Sequence, residues 1–141
     1  MMEHDAKCVR TKRLANVASA VIAMALSPFP LADEIVLALL YAGAVARLAR
    51  LHGVPLGATP WRAFARTTWN GMLARAAVNL AVAFVPVAAA IANATTAAVL
   101  TTSLMHYFDD ALADTSVAPE ILGIAGLRDE LKRVLFRGAP A

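Results

Sequence analysis

The side chains of this sequence that could bind a metal ion fall into two short groups. His106 precedes Asp109 and Asp110 by three and four residues, which would place the three side chains on one face of a helix. His4 and Cys8 show the same four-residue spacing near the amino terminus. Because a structural metal site usually has four protein ligands, neither group alone predicts one. We therefore expect no metal centre and no cofactor, and we interpret the groups as a solvated helix end and part of a disordered segment.

Two adjacent carboxylates follow a Pro-x-Pro turn in the first apolar region. Asp33 can cap the helix that begins there, and Glu34 is favoured by the positive end of the helix dipole. The alternative interpretation is an acidic turn that contacts a partner or a cation. A second proline turn, at Pro86, occurs later in the chain. The candidate turn or partner-binding residues are therefore Pro28, Pro30, Asp33, Glu34 and Pro86.

The sequence contains no recognisable catalytic motif. It has no G-x-S-x-G segment, which would present a nucleophilic serine, and no G-x-x-x-x-G-K-[ST] phosphate loop. Serine and threonine residues are scattered, and paired acidic residues occur only at expected helix ends. We therefore expect a protein that is not an enzyme.

The composition indicates a helical protein that associates with a membrane. Hydrophobic residues make up 60% and charged residues 16% of the chain, against roughly 45–50% and about 25% in soluble domains. The 13 Lys and Arg residues flank two apolar regions and avoid both proline turns. Since loops rich in Lys and Arg stay in the cytoplasm, we predict a protein of the inner (cytoplasmic) membrane with both termini cytoplasmic.

The predicted fold is all-α, with two apolar helical hairpins that each close at a proline turn. The first hairpin pairs helices at about 13–27 and 33–52, and the second pairs helices at about 71–85 and 87–107. A full membrane crossing needs about 20 residues of continuous helix, and the first helix of each hairpin is shorter. The pattern therefore leaves open whether the hairpins cross the membrane or insert partly.

An amphipathic helix at about 61–72 is predicted to join the hairpins, and Pro119 is predicted to open a second one near the carboxyl terminus. Thr59 and Pro60 resemble the N-cap and first position of the joining helix. Aromatic side chains on one face and arginines on another are typical of a helix at the membrane surface, although a soluble core would also bury such a face. The candidate interfacial residues are Trp61, Arg62, Phe64, Arg66 and Trp69.

The predicted units are a flexible polar segment 1–12, a membrane-associated helical domain 13–108, and an acidic linker with the amphipathic helix 109–141.

Small residues recur at four-residue intervals on the predicted helices. Such stripes allow helix backbones to approach closely, which matters in lipid, where apolar surfaces gain little by association. The candidate packing residues are Ala15, Ser19 and Ala23 on the first helix and Asn93, Ala97 and Thr101 on the last. A third stripe on the second helix would leave Leu37 facing lipid. We therefore expect Ala23→Leu and Ala97→Leu to be more damaging than Leu37→Ala.

Several short motifs between residues 14 and 108 form a recognisable set. They are the Pro28-Phe29-Pro30-Leu31-Ala32-Asp33 turn, Tyr41, the His52-Gly53-Val54 exit, Pro86, Thr96 and Tyr107-Phe108. This region resembles the YcjF-type membrane domain of unknown function, which in some proteins follows an Era-like GTPase domain. His52 stands where that family usually carries tyrosine, and Ala89 where it often carries glycine. The resemblance implies a stand-alone bacterial membrane domain that serves a GTPase or another partner.

The expected function is that of a helical membrane adaptor or anchoring domain for a partner protein. The expected partners are membrane lipid, further copies of the chain, and a protein such as the GTPase that the resemblance implies. Nucleic acid is not expected, because the net charge of +3 is modest and no nucleic-acid-binding motif is present. Two alternatives remain open: an oligomeric pore lined by Asn and Thr side chains, and a soluble apolar bundle that acts as an assembly subunit.

Overall fold

The computed structural model describes residues 1–26, 32–114 and 123–136, and within these ranges it is all-α, which confirms the predicted fold class. The described residues form a short 3-10 turn at Leu56–Ala58 and five helices: α1 Met2–Ala25, α2 Ala32–Leu51, α3 Trp61–Val82, α4 Pro86–Ala113 and α5 Ile124–Phe136. The α4 helix contacts each of the other four, so it is the centre of the bundle.

Helices α1 to α4 alternate in direction, which gives the bundle two chemically different ends. Asn93 of α4 bonds to Ala23 near the end of α1, whereas Asp109 bonds to Lys12 near its beginning. We call the first region, where α1 and α3 finish and α2 and α4 begin, the apolar end. We call the opposite region the charged end.

The first helix begins earlier than predicted. Residues 2–12, expected to be a flexible polar segment, are the first turns of α1. Cys8 and Thr11 are buried there and extend the buried face that continues through Ala15, Ser19 and Ala23. The overall composition of this segment is polar, so it did not indicate a buried face. A helix can nevertheless bury one side when small or apolar side chains recur there at spacings of three and four residues.

The two helices predicted at 61–72 and 71–85 are one continuous helix, α3. Gly71 lies within this helix, and its lack of a side chain allows α4 to approach, since a Cβ at this position would lie 2.2 Å from Leu100 Cδ1. The expected N-cap also differs, since Thr59 donates a hydrogen bond to the Pro55 carbonyl at 3.3 Å and Pro60 occupies the cap position. The α4 helix continues to Ala113, beyond its predicted end at 107. Pro119, the predicted start of the last helix, lies outside the described residues.

The buried face of α2 was predicted incorrectly. Leu37, Tyr41, Val45 and Leu48 are each 0% exposed, and they recur at the three- and four-residue spacing of a buried helix face. Ala38, Ala42 and Ala46, the predicted contact stripe of this helix, are only partly buried. Leu37 therefore lies in the core of the bundle and does not face lipid.

Candidate functional site

Charged side chains meet inside the apolar end of the bundle. Arg75 of α3 is 2% exposed and Asp33 of α2 is 5% exposed. Burying a charge is costly unless a partner compensates it, so the contacts among these groups decide what the site can do. We call the following set the buried charge cluster: Asp33, Glu34, Arg75, Asn79, Asn93 and Thr96.

The Arg75 guanidinium binds both carboxylates of α2. Its Nη2 atom donates to Asp33 Oδ2 at 2.6 Å, and its Nη1 atom donates to Glu34 Oε1. Nη2 also donates to Asn93 Oδ1. Because both terminal nitrogens are engaged, Arg75 presents no free two-pronged donor to an outside carboxylate or phosphate.

Asn93 connects the cluster to the other helices. Its Nδ2 atom donates to the Ala23 carbonyl of α1 at 2.6 Å and to Asp33 Oδ2 at 2.9 Å. Its Oδ1 atom accepts from Asn79 Nδ2 of α3 at 2.5 Å. Asn79 Oδ1 in turn lies 3.4 Å from Thr96 Oγ1. One amide of α4 therefore joins all four bundle helices through hydrogen bonds.

Two buried atoms of the cluster have no hydrogen-bond partner among the described residues: Glu34 Oε2 and Arg75 Nε. The Arg75 terminal nitrogens, Asp33 Oδ2 and Glu34 Oε1 all have partners. Ionisable groups at membrane depth generally face the bundle interior and pair with one another, and this arrangement has that form. The cluster can therefore hold the helices together by hydrogen bonds and ion pairs in an apolar environment.

The structure places the sequence-predicted turn carboxylates in this cluster. Asp33 and Glu34 lie in the first turn of α2, where capping was expected, but their side chains bind a cation supplied by Arg75 of the same chain. The prediction that every basic residue lies away from the proline turns is wrong for Arg75. Pro86 is exposed at the first turn of α4, and Pro28 and Pro30 lie outside the described residues.

The predicted small-residue stripes of α1 and α4 face each other. All six of their members are buried. Thr101 Oγ1 lies 2.7 Å from Ser19 Oγ, and Asn93 bonds to the Ala23 backbone. The two helices therefore approach closely along these residues, and Asn16 Nδ2 of α1 also donates to Thr102 Oγ1 of α4 at 2.9 Å.

The candidate interfacial residues occupy different environments. Phe64 is buried and Trp61 is partly buried, and their rings pack edge to face with centroids 5.7 Å apart. This part of the predicted surface face therefore belongs to the core, because α3 buries it against α4. Trp69, Arg62 and Arg66 are exposed.

His106, Asp109 and Asp110, whose spacing alone did not predict a metal site, all lie on α4, but the two aspartates bind side chains from other parts of the chain. Asp109 Oδ1 lies 2.8 Å from His52 Nε2 and Oδ2 accepts from Lys12 Nζ at 2.6 Å. Burial acts to raise the pKa of Asp109, but these two partners outweigh it and the pKa lies below its usual value. Asp110 pairs instead with Arg133 of α5 at 2.7 Å. The sequence did not identify His52 as a partner of Asp109, because no regular spacing relates the two residues.

Comparison of the chain with protein-family models, curated proteins and solved structures gave no match.

Proposed function

We propose that this protein is a non-enzymatic membrane adaptor or anchoring domain. Its apolar end inserts into the inner membrane, and its charged end stays in the cytoplasm and receives a partner protein. The observation that carries this proposal is the contrast between the surfaces of the two ends.

The surface of the apolar end consists largely of exposed hydrophobic side chains. Soluble monomers rarely expose contiguous apolar patches beyond a few hundred Å², so lipid is a natural environment for this surface. We call these residues, which are between 50% and 91% exposed, the apolar belt: Val17, Val21, Met24, Ile35, Leu39, Leu73, Leu80, Phe84, Val85, Val87 and Ile91.

The segments of α1 to α4 that carry the belt contain few charges, although Arg128 of α5 lines a cavity with Val78 and Thr96. Within residues 14–46 and 71–105, the only Asp, Glu, Lys or Arg residues are Asp33, Glu34 and Arg75, and both carboxylates bind the Arg75 guanidinium. The buried charge cluster thus removes their charges from the surface that would meet lipid. This pairing supports insertion, because two carboxylates that share one guanidinium carry a net charge of −1 in place of three separate charges, and isolated charges oppose insertion.

The height of the belt favours partial insertion. From Asp33 to Arg47, α2 rises by about 21 Å at 1.5 Å per residue, which is less than the roughly 30 Å hydrocarbon thickness of a bilayer. Among the described helices, α4 alone is long and apolar enough to span a membrane, and part of it is buried within the bundle. Amide groups at the α3–α4 turn are bonded locally, for example Val85 N to the Val82 carbonyl at 3.1 Å, as a turn in lipid requires.

The hydrogen bonds among the polar side chains of α3 and α4 favour the adaptor function over an oligomeric pore. Asn79, Asn93 and Thr96 bond to one another inside a single chain, so they are occupied and do not form a wet lining. The resemblance to the YcjF-type domain supports a GTPase as the partner. A soluble bundle whose copies cover one another's belts is the competing arrangement.

Phe84→Asp is expected to weaken membrane binding strongly. Phe84 is 91% exposed at the α3–α4 turn, and an aspartate at membrane depth costs roughly 2.5–3.5 kcal/mol. Partitioning into anionic liposomes, measured by flotation, should therefore fall on the order of 100-fold. The matched control is Phe136→Asp, since Phe136 is also exposed but lies beyond Arg133 toward the charged end. Equal flotation of both variants, or recovery of the wild type as a soluble monomer after carbonate extraction, would count against insertion.

Both chain termini are expected to lie in the cytoplasm. Reporter fusions at residue 2 and at residue 141 should give the same cytoplasmic signal, because the Lys and Arg residues outside the cluster flank the apolar regions. Opposite signals would require an odd number of crossings and would reject the arrangement of two hairpins.

A further inference from the structure

Three side chains with metal-binding atoms meet at the charged end of the bundle. His4 and Cys8 lie one turn apart on α1, and His52 follows the last residue of α2. One ligand atom from each lies within 4.8 Å of the other two, and the two imidazole rings are 5.1 Å apart at an angle of 74°. The charged end lies away from the apolar belt, so this group is independent of membrane insertion.

We propose that His4, Cys8 and His52 form a binding site for a divalent transition metal of the zinc type. Zinc binds sulfur at about 2.3 Å and imidazole nitrogen at about 2.0–2.1 Å with tetrahedral angles, which places the two ligand atoms about 3.6 Å apart. The observed distance from Cys8 Sγ to His4 Nε2 is 3.7 Å. Two histidines and a thiolate also favour zinc or cobalt over magnesium or calcium, which prefer oxygen ligands.

Asp109 supplies the supporting contact that histidine ligands commonly have. Its Oδ1 atom lies 2.8 Å from His52 Nε2, which leaves Nδ1 of that ring for the metal. A carboxylate behind a ligating histidine fixes the ring orientation and strengthens the ligand. Lys12 binds the other oxygen of the same carboxylate, so the supporting contact is itself held in place. The fourth metal position is left to water or to a ligand from outside.

The position of His52 depends on how α2 ends. Gly53 has a φ of 71°, a left-handed conformation that glycine adopts without strain. The Val54 amide bonds back to the Ala49 carbonyl at 2.8 Å, which closes the helix end. His52 is therefore held at a defined turn, and a bound metal would join this turn to the first residues of α1.

Cobalt titration of the tag-free, full-length protein in detergent tests this site. One equivalent of Co²⁺ should produce the thiolate-to-cobalt charge-transfer band and the intense visible absorption of tetrahedral cobalt, and Zn²⁺ should remove both. Cys8→Ser should abolish the charge-transfer band, and His52→Ala should weaken binding at least as much as Asp109→Asn, for which a loss of about 10–100-fold is expected. His106→Ala, which alters the remaining histidine of the chain, should bind cobalt as the wild type does.

A second measurement needs no substitution. Zn²⁺ should slow alkylation of Cys8 in the wild-type protein, as followed by mass spectrometry, and a chelator should restore the rate. Absence of the charge-transfer band, an unchanged band in Cys8→Ser, or alkylation that is indifferent to Zn²⁺ would each overturn the proposal. Circular dichroism of each variant identifies any loss of signal that arises from unfolding, and the alkylation result then decides.

Discussion

Replacing Arg75 by methionine is expected to lower the free energy of unfolding by about 3–5 kcal/mol. The substitution keeps an unbranched apolar stem but leaves Asp33 and Glu34 buried without the cation that both of them bind. It also removes a donor from Asn93, which joins the four bundle helices. Denaturant unfolding in detergent micelles, followed by circular dichroism, measures the change.

Two further variants test the reason for this loss. Arg66→Met makes the same chemical change at an exposed position of α3 and should shift stability by no more than about 0.5 kcal/mol. The triple variant Asp33→Asn, Glu34→Gln, Arg75→Met removes all three charges and should recover most of the loss, because neutral replacement of a buried ion pair is often tolerated. Equal losses of stability in Arg75→Met and Arg66→Met would show that the contacts of Arg75 with the two carboxylates do not stabilise the fold.

The cluster also relates stability to the proposed insertion. An unpaired carboxylate in the apolar end would favour water over lipid, so Arg75→Met should reduce liposome binding as well as stability. The triple variant should bind liposomes like the wild type. A bundle that stays in water would show the stability loss without this second effect.

The helical class was predictable from composition and periodicity, but the partners of individual side chains were not. The long apolar stretches and the proline turns define helices whatever their neighbours are, and the all-α class is confirmed. Arg75 shows what local patterns leave out. It is the only charged residue between Arg66 and Asp109 and was grouped with the basic residues that flank the apolar regions, and only the packing of α3 against α2 reveals its carboxylate partners.

The charged end was harder to predict because its contacts join distant parts of the chain. His52 and Asp109 are separated by 57 residues, and no spacing rule relates them. The polar first residues of α1 suggested disorder, since termini fray unless tertiary contacts hold them. Lys12 makes such a contact with Asp109. Both differences arise from tertiary contacts that override local propensity.

Leu37→Ala is expected to destabilise the protein by about 2–5 kcal/mol, the cost of emptying a buried leucine site. Leu37 is 0% exposed in the hydrophobic core of the bundle. The expectation from the sequence was a small effect, because Leu37 was assigned to lipid. Because Leu37 is buried, we now expect the opposite ranking of the variants. The stability lost in Leu37→Ala should equal or exceed the roughly 1–3 kcal/mol expected when Ala23→Leu or Ala97→Leu overfills a packed contact.

Leu39→Ala is the matched control, since Leu39 is 70% exposed on the same helix. Removing its side chain creates no cavity, so stability in detergent should change by no more than about 0.5 kcal/mol. Thermal unfolding of both variants in the same detergent measures the difference. A Leu39→Ala loss as large as that of Leu37→Ala would mean that Leu39 is covered in the folded assembly. That result would favour contact between copies of the chain over lipid at this part of the apolar belt.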